Sequence, residues 1–273
     1  MKAGRARELG LPRPRKRFGQ HFLEPAWVAK LIDAVGLAAD DRVLEIGPGR
    51  GALTGPLAAR AGRVVAVEID RDLAAALPEH VPPHVRVVEG DFLEADIDAL
   101  LRDERLPFRV VGNLPYNVSS PILFKLLAAA GEGRVFADAT LMLQREVADR
   151  LVAAPGSGEY GTLAVQVAVL ADVERLLTLP PGAFRPPPKV TSAVVRLRFR
   201  PRAVDVGDPA TFERVVRGVF LQRRKTILNA LTPVADALHR SAADLIARAG
   251  VDPGKRPQAL TVAEMAALSR AVL

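Results

Sequence analysis

The chain of 273 residues contains no cysteine, which excludes disulfides, thiolate nucleophiles and cysteine-based metal centres and accords with a reducing compartment. Histidine is scarce as well: only His21, His80, His84 and His239 occur, and Pro82 and Pro83 keep His80 and His84 from sharing one helix face. No metal is expected. No apolar run approaches the ~20 residues that a membrane-crossing helix needs, and Met1 to Leu23 lacks the apolar stretch of a secretory signal. The same stretch has no Ser, and Pro12 and Pro14 interrupt any amphipathic helix, against an organellar transit peptide. These absences predict a cytoplasmic protein with no membrane association.

Acidic residues are nearly missing from the start of the chain. Lys2, Arg5, Arg7, Arg13, Arg15, Lys16 and Arg17 stand against Glu8 alone, so the first seventeen residues carry +6 of a formal net charge of +7. A basic arm, residues 1–20, precedes a nearly neutral body. Such arms contact phosphate backbones, steer association and make affinity salt-dependent. Acid is also absent around Arg185, Lys189, Arg196, Arg198, Arg200 and Arg202, and a third cluster stands at Arg223-Arg224-Lys225. Each cluster alone reads as a solvated face; three together favour nucleic acid as the partner.

The length fits one large domain with a smaller companion. Between Arg42 and Leu143, short β-rich runs alternate with helix-like segments: Val43 to Ile46, Val64 to Val67, Val85 to Val88, Val110 to Val111 and Ala139 to Leu143. The pattern predicts an α/β fold, a Rossmann-like doubly wound and mostly parallel sheet, with Ala- and Leu-rich crossover helices at Ala52 to Ala61, Arg71 to Leu77 and Pro121 to Ala130. Ser192 to Phe199 alternates and is β-branched, which predicts an antiparallel strand at the end of the sheet. Residues 21–200 are read as this larger domain and Pro201 to Pro209 as a linker. Residues 201–273 are read as a small all-helical domain, its short helices broken at Pro233, Pro253 and Pro257.

Ligands of such sheets bind beyond the carboxyl ends of the strands. Glu45-Ile46-Gly47-Pro48-Gly49-Arg50-Gly51 follows the first of these strands, and its spacing is not the dinucleotide GxGxxG. Glu68 ends the next strand, where a carboxylate accepts from ribose hydroxyls. Asp91 ends the third, placed to accept from an exocyclic adenine amine, with Phe92 flanking the ring. Taken singly, each acid is more commonly a solvent-exposed strand end; together after Gly47 they fit an adenosyl ligand without a pyrophosphate.

The fourth strand leads into Asn113-Leu114-Pro115-Tyr116. An exocyclic base amine is a poor nucleophile because its lone pair is delocalised into the ring; acceptors that hold it out of plane make it reactive. Asn113 and the Leu114 carbonyl are suited to that task, Pro115 stiffens the turn and keeps Leu114 extended, and Tyr116 offers a face for an unstacked base. The bland alternative is a strand-ending turn with a core Tyr.

Assembled, these features resemble class I S-adenosylmethionine methyltransferases, and more closely the ribosomal RNA adenine dimethyltransferase family. The likeness spans nearly the whole chain. Lys16 to Leu23 resembles the family's opening motif, Glu45 to Thr54 its glycine loop and Asn113 to Tyr116 its catalytic motif; Phe184-Arg185-Pro186-Pro187-Pro188-Lys189-Val190 and Arg223-Arg224-Lys225-Thr226 resemble the small-subunit branch. The resemblance implies S-adenosylmethionine contacts from His21, Leu23, Gly47, Glu68, Asp91 and Asn113, and an adenine held between Tyr116 and Phe184. The family usually carries Asn where His21 stands, and without the family match Phe184 reads as a buried aromatic before a proline turn. Arg15, Lys16, Arg17, Lys189, Arg223, Arg224 and Lys225 would contact RNA.

The reaction so implied is transfer of methyl groups to N6 of two adjacent adenosines in a 3′-terminal hairpin of 16S rRNA, in a small ribosomal subunit, by a monomer. Three alternatives stay open: a 23S rRNA methyltransferase of the antibiotic-resistance branch, a nicotinamide dehydrogenase, and a non-catalytic RNA-binding assembly factor. The dehydrogenase leaves Asn113 to Tyr116 and the basic arm unexplained, and the non-catalytic factor has no need of acidic strand tips.

Overall fold

The computed structural model describes residues 22–132 and 135–273. Arg15, Lys16, Arg17 and His21 lie outside the described residues. Two compact units form. One comprises the described residues up to Ala148 with Glu174–Phe199, the other Asp149–Val173 with Arg200–Leu273.

A seven-stranded sheet organises the first unit. Its strands are β2 (Arg42–Ile46), β3 (Arg63–Glu68), β4 (Val85–Glu89), β5 (Phe108–Asn113), β6 (Phe136–Gln144), β7 (Ala171–Leu179) and β9 (Ser192–Phe199). They lie in the order β4-β3-β2-β5-β6-β9-β7. The pairs from β4 through β6 are parallel and β9 runs antiparallel to β6. Val43, Leu44, Val64, Val65 and Val110 are 0% exposed, because strands covered on both faces must be apolar throughout. Each such side chain contributes about 1.5–3 kcal/mol of transfer free energy. A separate two-stranded ribbon pairs β1 (Phe22–Leu23) with β8 (Phe184–Arg185), setting Leu23 opposite Phe184.

The helices of this unit are α1 (Pro25–Val35), α2 (Thr54–Ala58), α3 (Arg71–Ala76), α4 (Ile97–Leu101) and α5 (Ser119–Glu132), with the first turn of α6 (Arg145–Leu151), whose last three residues count with the second unit. Two guanidiniums hold the carboxyl end of α1: Arg109 donates to the carbonyls of Val35 and Gly36, and Arg196 to those of Ala34 and Val35. Arg109 also forks onto Asp138 and Asp41.

The second unit contains α7 (Thr162–Leu170), α8 (Pro209–Leu221), α9 (Ile227–Asp236), α10 (Ala242–Ala249) and α11 (Val262–Val272). Val165, Val215, Val219, Ile227, Leu231, Leu245, Met265 and Leu268 fill its core. Asp208 caps α8 by accepting from the Thr211 amide, and Thr261 with Glu264 forms a capping box on α11.

Four expectations change. Strand β9 does not end the sheet: β7 lies outside it, with Asp172, Glu174 and Arg175 supplying the charge that protects an edge strand. The helical unit takes in Asp149–Val173, which lies within the larger domain expected from the sequence, because the apolar α7 buries Ala164, Val165 and Val169 in the helical core. Pro233 does not break a helix but lies inside α9. Both Pro233 and Asn229, whose carbonyl loses its amide partner, are exposed, on the side of the helix where such a loss costs least. Finally, Arg196, Arg198 and Arg200 are engaged within the protein, Arg198 pairing with Glu174 at 2.6 Å and Arg200 with Asp172 at 3.0 Å.

Candidate active site

Beyond the carboxyl ends of β2 to β5 lies a cavity of about 290 Å³. It sits where the strand order turns outward from β2 to β3 on one side and β5 on the other, the expected place for a ligand in a doubly wound sheet. Leu23, Gly47, Glu68, Asp91, Asn113, Leu114, Pro115 and Tyr116 all line it. Residues from Gly47 to Tyr116, up to 69 positions apart in the chain, thus meet at one wall, because parallel strands put every strand tip at the same end, and Leu23 joins them from the β1–β8 ribbon.

The glycine loop after β2 turns through left-handed backbone, with φ of 69°, 59° and 76° at Gly47, Gly49 and Gly51. A Cβ at Gly51 would come 2.7 Å from Leu77 Cδ1, so a side chain there is excluded twice over. Glu68 fastens the loop from the next strand: its Oε2 accepts from the Gly49 amide at 2.8 Å and its Oε1 from the Asp70 amide at 2.8 Å. Each carboxylate oxygen keeps a second lone pair for a ligand hydroxyl. Burial raises the Glu68 pKa, opposed by those backbone donors. Asp91 accepts from the Leu93 amide at 2.8 Å, which shapes the turn after β4. Half-exposed Ile69 and buried Phe92 add apolar wall.

At the tip of β5, the Leu114 amide donates to the Met142 carbonyl at 3.3 Å and the Ser119 hydroxyl to the Tyr116 carbonyl at 3.1 Å. The turn is therefore fixed both to β6 and to the start of α5. Tyr116 Oη lies 2.8 Å from the Ser192 hydroxyl, itself fully buried at the start of β9.

Phe184 is placed differently from the cavity residues. It is 1% exposed and packs with Leu23, Val28, Leu179 and Val194, outside the cavity lining. Lys189 is exposed on the first unit; Arg223, Arg224 and Lys225 are exposed on the second, where Arg223 donates to the Gly158 carbonyl at 2.6 Å.

Sequence reasoning missed three participants. Ser192 orients Tyr116 from 76 positions away, and no local pattern announces it. Lys125, on α5, donates to the Leu93 carbonyl at 2.7 Å and also to that of Ala95, tying the turn after β4 to the helix that follows the Asn-Leu-Pro-Tyr turn. Glu45 lines the cavity and is 1% exposed; an acid inside an apolar strand was the available signal. Burial pushes its pKa up to about 8.

The residues present suit an adenosyl ligand carrying positive charge. Gly47 and Gly90 line the cavity with open space where a Cβ would be, three carboxyl groups face it, and no Lys, Arg or His lines it among the described residues.

A doubly wound sheet whose ligand cavity closes on acidic strand tips and an Asn-Leu-Pro-Tyr turn, instead of a pyrophosphate-binding helix, has the architecture of a Rossmann-like methyltransferase. Comparison with known proteins narrows the class. A model of the ribosomal RNA adenine dimethylase family matches residues 12–272, and the chain belongs to that family of rRNA methyltransferases. It is 47% identical over 260 residues to the ribosomal RNA small subunit methyltransferase A of Aromatoleum aromaticum, covering 94% of this chain and 93% of that one. With the protein of the same name from Syntrophotalea carbinolica the identity is 45% over 266 residues, covering 95% and 97%. Among solved structures, a dimethyladenosine transferase from Plasmodium falciparum superposes with a TM-score of 0.73 at 26% identity, over 91% of this chain and 96% of that one. The 23S rRNA methyltransferase ErmE superposes with a TM-score of 0.64 at 29% identity, over 92% and 99%.

Proposed function

We propose that this protein dimethylates N6 of two adjacent adenosines in a 3′-terminal hairpin of 16S rRNA, acting on the small ribosomal subunit with S-adenosylmethionine as donor. The observation that carries the reading is the convergence of Gly47, Glu68, Asp91 and Asn113 to Tyr116 on one cavity. The small-subunit branch is favoured over the large-subunit one by curated relatives at 45–47% identity that bear the small-subunit name, against 29% for ErmE.

S-adenosylmethionine, bound in the cavity, supplies an electrophilic methyl group. Glu68 would accept from the ribose hydroxyls while its other contacts hold the glycine loop, and Asp91 would accept from the adenine amine of the cofactor. Asn113 and the Leu114 carbonyl accept from the N6 hydrogens of the target base, turn its lone pair outward and stabilise the positive charge that develops there. The resulting ammonium is acidic enough to lose its proton to water, so no strong base is required. Tyr116, its hydroxyl held by Ser192, presents its ring to a base drawn out of the stack, an extrusion that costs a few kcal/mol and is partly offset by stacking. Phe184, lying behind Leu23, would reach the base only by leaving the packing in which it now stands. Lys189 and Arg223 to Lys225 would hold phosphates of the surrounding RNA.

The test incubates purified protein with methyl-labelled S-adenosylmethionine and, in parallel, undermethylated small subunits, large subunits and free DNA, followed by digestion to nucleosides. Label in dimethyladenosine from small subunits is expected. Label from large subunits alone would move the protein to the other branch, and no label anywhere would remove the catalytic reading.

A further inference from the structure

Two buried serines grip Tyr116 at its two ends. The Ser119 hydroxyl donates to the Tyr116 carbonyl at 3.1 Å, and the Ser192 hydroxyl lies 2.8 Å from Tyr116 Oη. Ser119 is 1% and Ser192 0% exposed, whereas Tyr116 is half-buried and lines the cavity. Ser192 is itself held firmly: it opens β9 in register with Gln144 of β6, and the carbonyl of the preceding Thr191 accepts from the Arg145 amide at 2.9 Å. The hydroxyl of Tyr116 lies on the axis of its ring, so fixing that atom to the sheet fixes where the ring points. A buried serine hydroxyl is costly unless it is paired, and this one is paired with a side chain of the cavity wall.

The two methyl transfers make unequal use of such a ring. The N6 amine of an unmodified adenosine has two hydrogens, one for Asn113 and one for the Leu114 carbonyl. N6-methyladenosine has one. The second transfer thus begins with half of the polar contacts to the reacting nitrogen, and stacking on Tyr116 carries more of the alignment. A misplacement of about 1 Å at a reacting atom can cost about 10²-fold in rate.

We propose that Ser192 is a positioning residue that acts through Tyr116 and governs how far methylation proceeds: its hydroxyl keeps the monomethylated base aligned for a second transfer. This role rests on the reading of the cavity as an adenosine N6 dimethyltransferase site. In each transfer the carbon–sulfur bond of the sulfonium breaks, a carbon–nitrogen bond forms at N6, the sulfur leaves as a neutral thioether and one N6 proton passes to water. Ser192 takes no part in that exchange; it holds the ring against which the base lies.

Single-turnover time courses test the role, using full-length protein in excess, methyl-labelled S-adenosylmethionine and undermethylated small subunits, with N6-methyladenosine and N6,N6-dimethyladenosine resolved after digestion. Ser192→Ala should slow the second transfer about tenfold, within the worth of one side-chain hydrogen bond, and the first only about twofold, so that monomethyladenosine accumulates. Its S-adenosylmethionine affinity should equal that of the wild type, since Ser192 lies outside the cavity lining. Tyr116→Phe, which lacks the hydroxyl and keeps the ring, should show the same defect, and the double variant should be no worse than either single one. A serine that merely supports the fold would slow both transfers alike and add its effect to that of Tyr116→Phe; that pattern, or a wild-type product ratio in Ser192→Ala, would overturn the proposal while leaving the methyltransferase reading intact. No dimethyladenosine from the wild type would overturn both. Should Ser192→Ala fail to fold, the product ratio of Tyr116→Phe decides alone.

Discussion

At the scale of single residues, the proposed function assigns some groups to the cofactor and others to the target base. Asn113 ends β5 at the cavity, whereas the loop fastened by Glu68 lies on the neighbouring tips. Asn113→Ala should therefore keep most cofactor affinity while turnover falls about 10²- to 10³-fold, the usual effect of removing one preorganised polar group at a reacting atom. Single-turnover kinetics beside a binding titration check this, and unchanged turnover would dismiss the role. The burial of Glu45 has a consequence for stability. Its folded pKa of about 8 lies above the ordinary carboxyl value of 4.5, so the folded state binds the extra proton between those pH values. Stability from this group is full below about pH 4.5 and is lost as pH rises toward 8. Chemical denaturation of the ligand-free protein should show Glu45→Gln losing less stability than wild type between pH 5 and 8. A steeper loss in the variant would contradict the assignment.

At the scale of elements, the catalytic turn is exact only because β2 and β5 approach closely beneath it. A Cβ on Gly112 would come 2.8 Å from Leu114 Cδ2 and 3.3 Å from the Ile46 carbonyl oxygen, so Leu114, 1% exposed, would be pushed toward the cavity it lines. Gly112→Ala should cost about 1–3 kcal/mol, the range for overpacking, and lower kcat more than it weakens cofactor binding. Denaturation midpoints with steady-state kinetics decide; an unaltered kcat would mean the turn tolerates the push. Lys125 acts across elements too. Its ammonium joins α5 to the carbonyls of Leu93 and Ala95, so Lys125→Met should loosen the Asp91 turn and weaken S-adenosylmethionine binding about tenfold, or ~1.4 kcal/mol. An unchanged dissociation constant would show that the turn holds itself.

At the scale of the whole molecule, charge is divided between cations spent on the fold and cations left exposed. Arg109, Arg196, Arg198 and Arg200 are occupied by carbonyls and carboxylates, while Lys189, Arg224 and Lys225 face solvent. Replacing Arg223, Arg224 and Lys225 together by Ala should weaken small-subunit binding and flatten its dependence on salt, the slope of log K against log salt changing by roughly 0.7–0.9 per lost phosphate contact. Arg198→Ala should leave that slope as it was. Filter binding across salt concentrations reads both, and equal slopes in all three proteins would sever the cluster from RNA.

Much of this protein is written in its sequence at short range. The strand tips Glu68 and Asp91, the glycine loop and Asn113 to Tyr116 each follow an apolar run that identifies a parallel strand, so the sheet and the position of its site are readable before any coordinate. What the chain order conceals is which distant side chains meet. Only the folded molecule pairs Tyr116 with Ser192, sends Arg196 to the end of α1, draws α7 into the helical unit, places Phe184 among core residues and buries Glu45 beside Thr54. The physical reason is that strand patterns arise from local alternation and burial, whereas hydrogen-bond partners and desolvation depend on contacts between segments that the sequence spaces tens of residues apart.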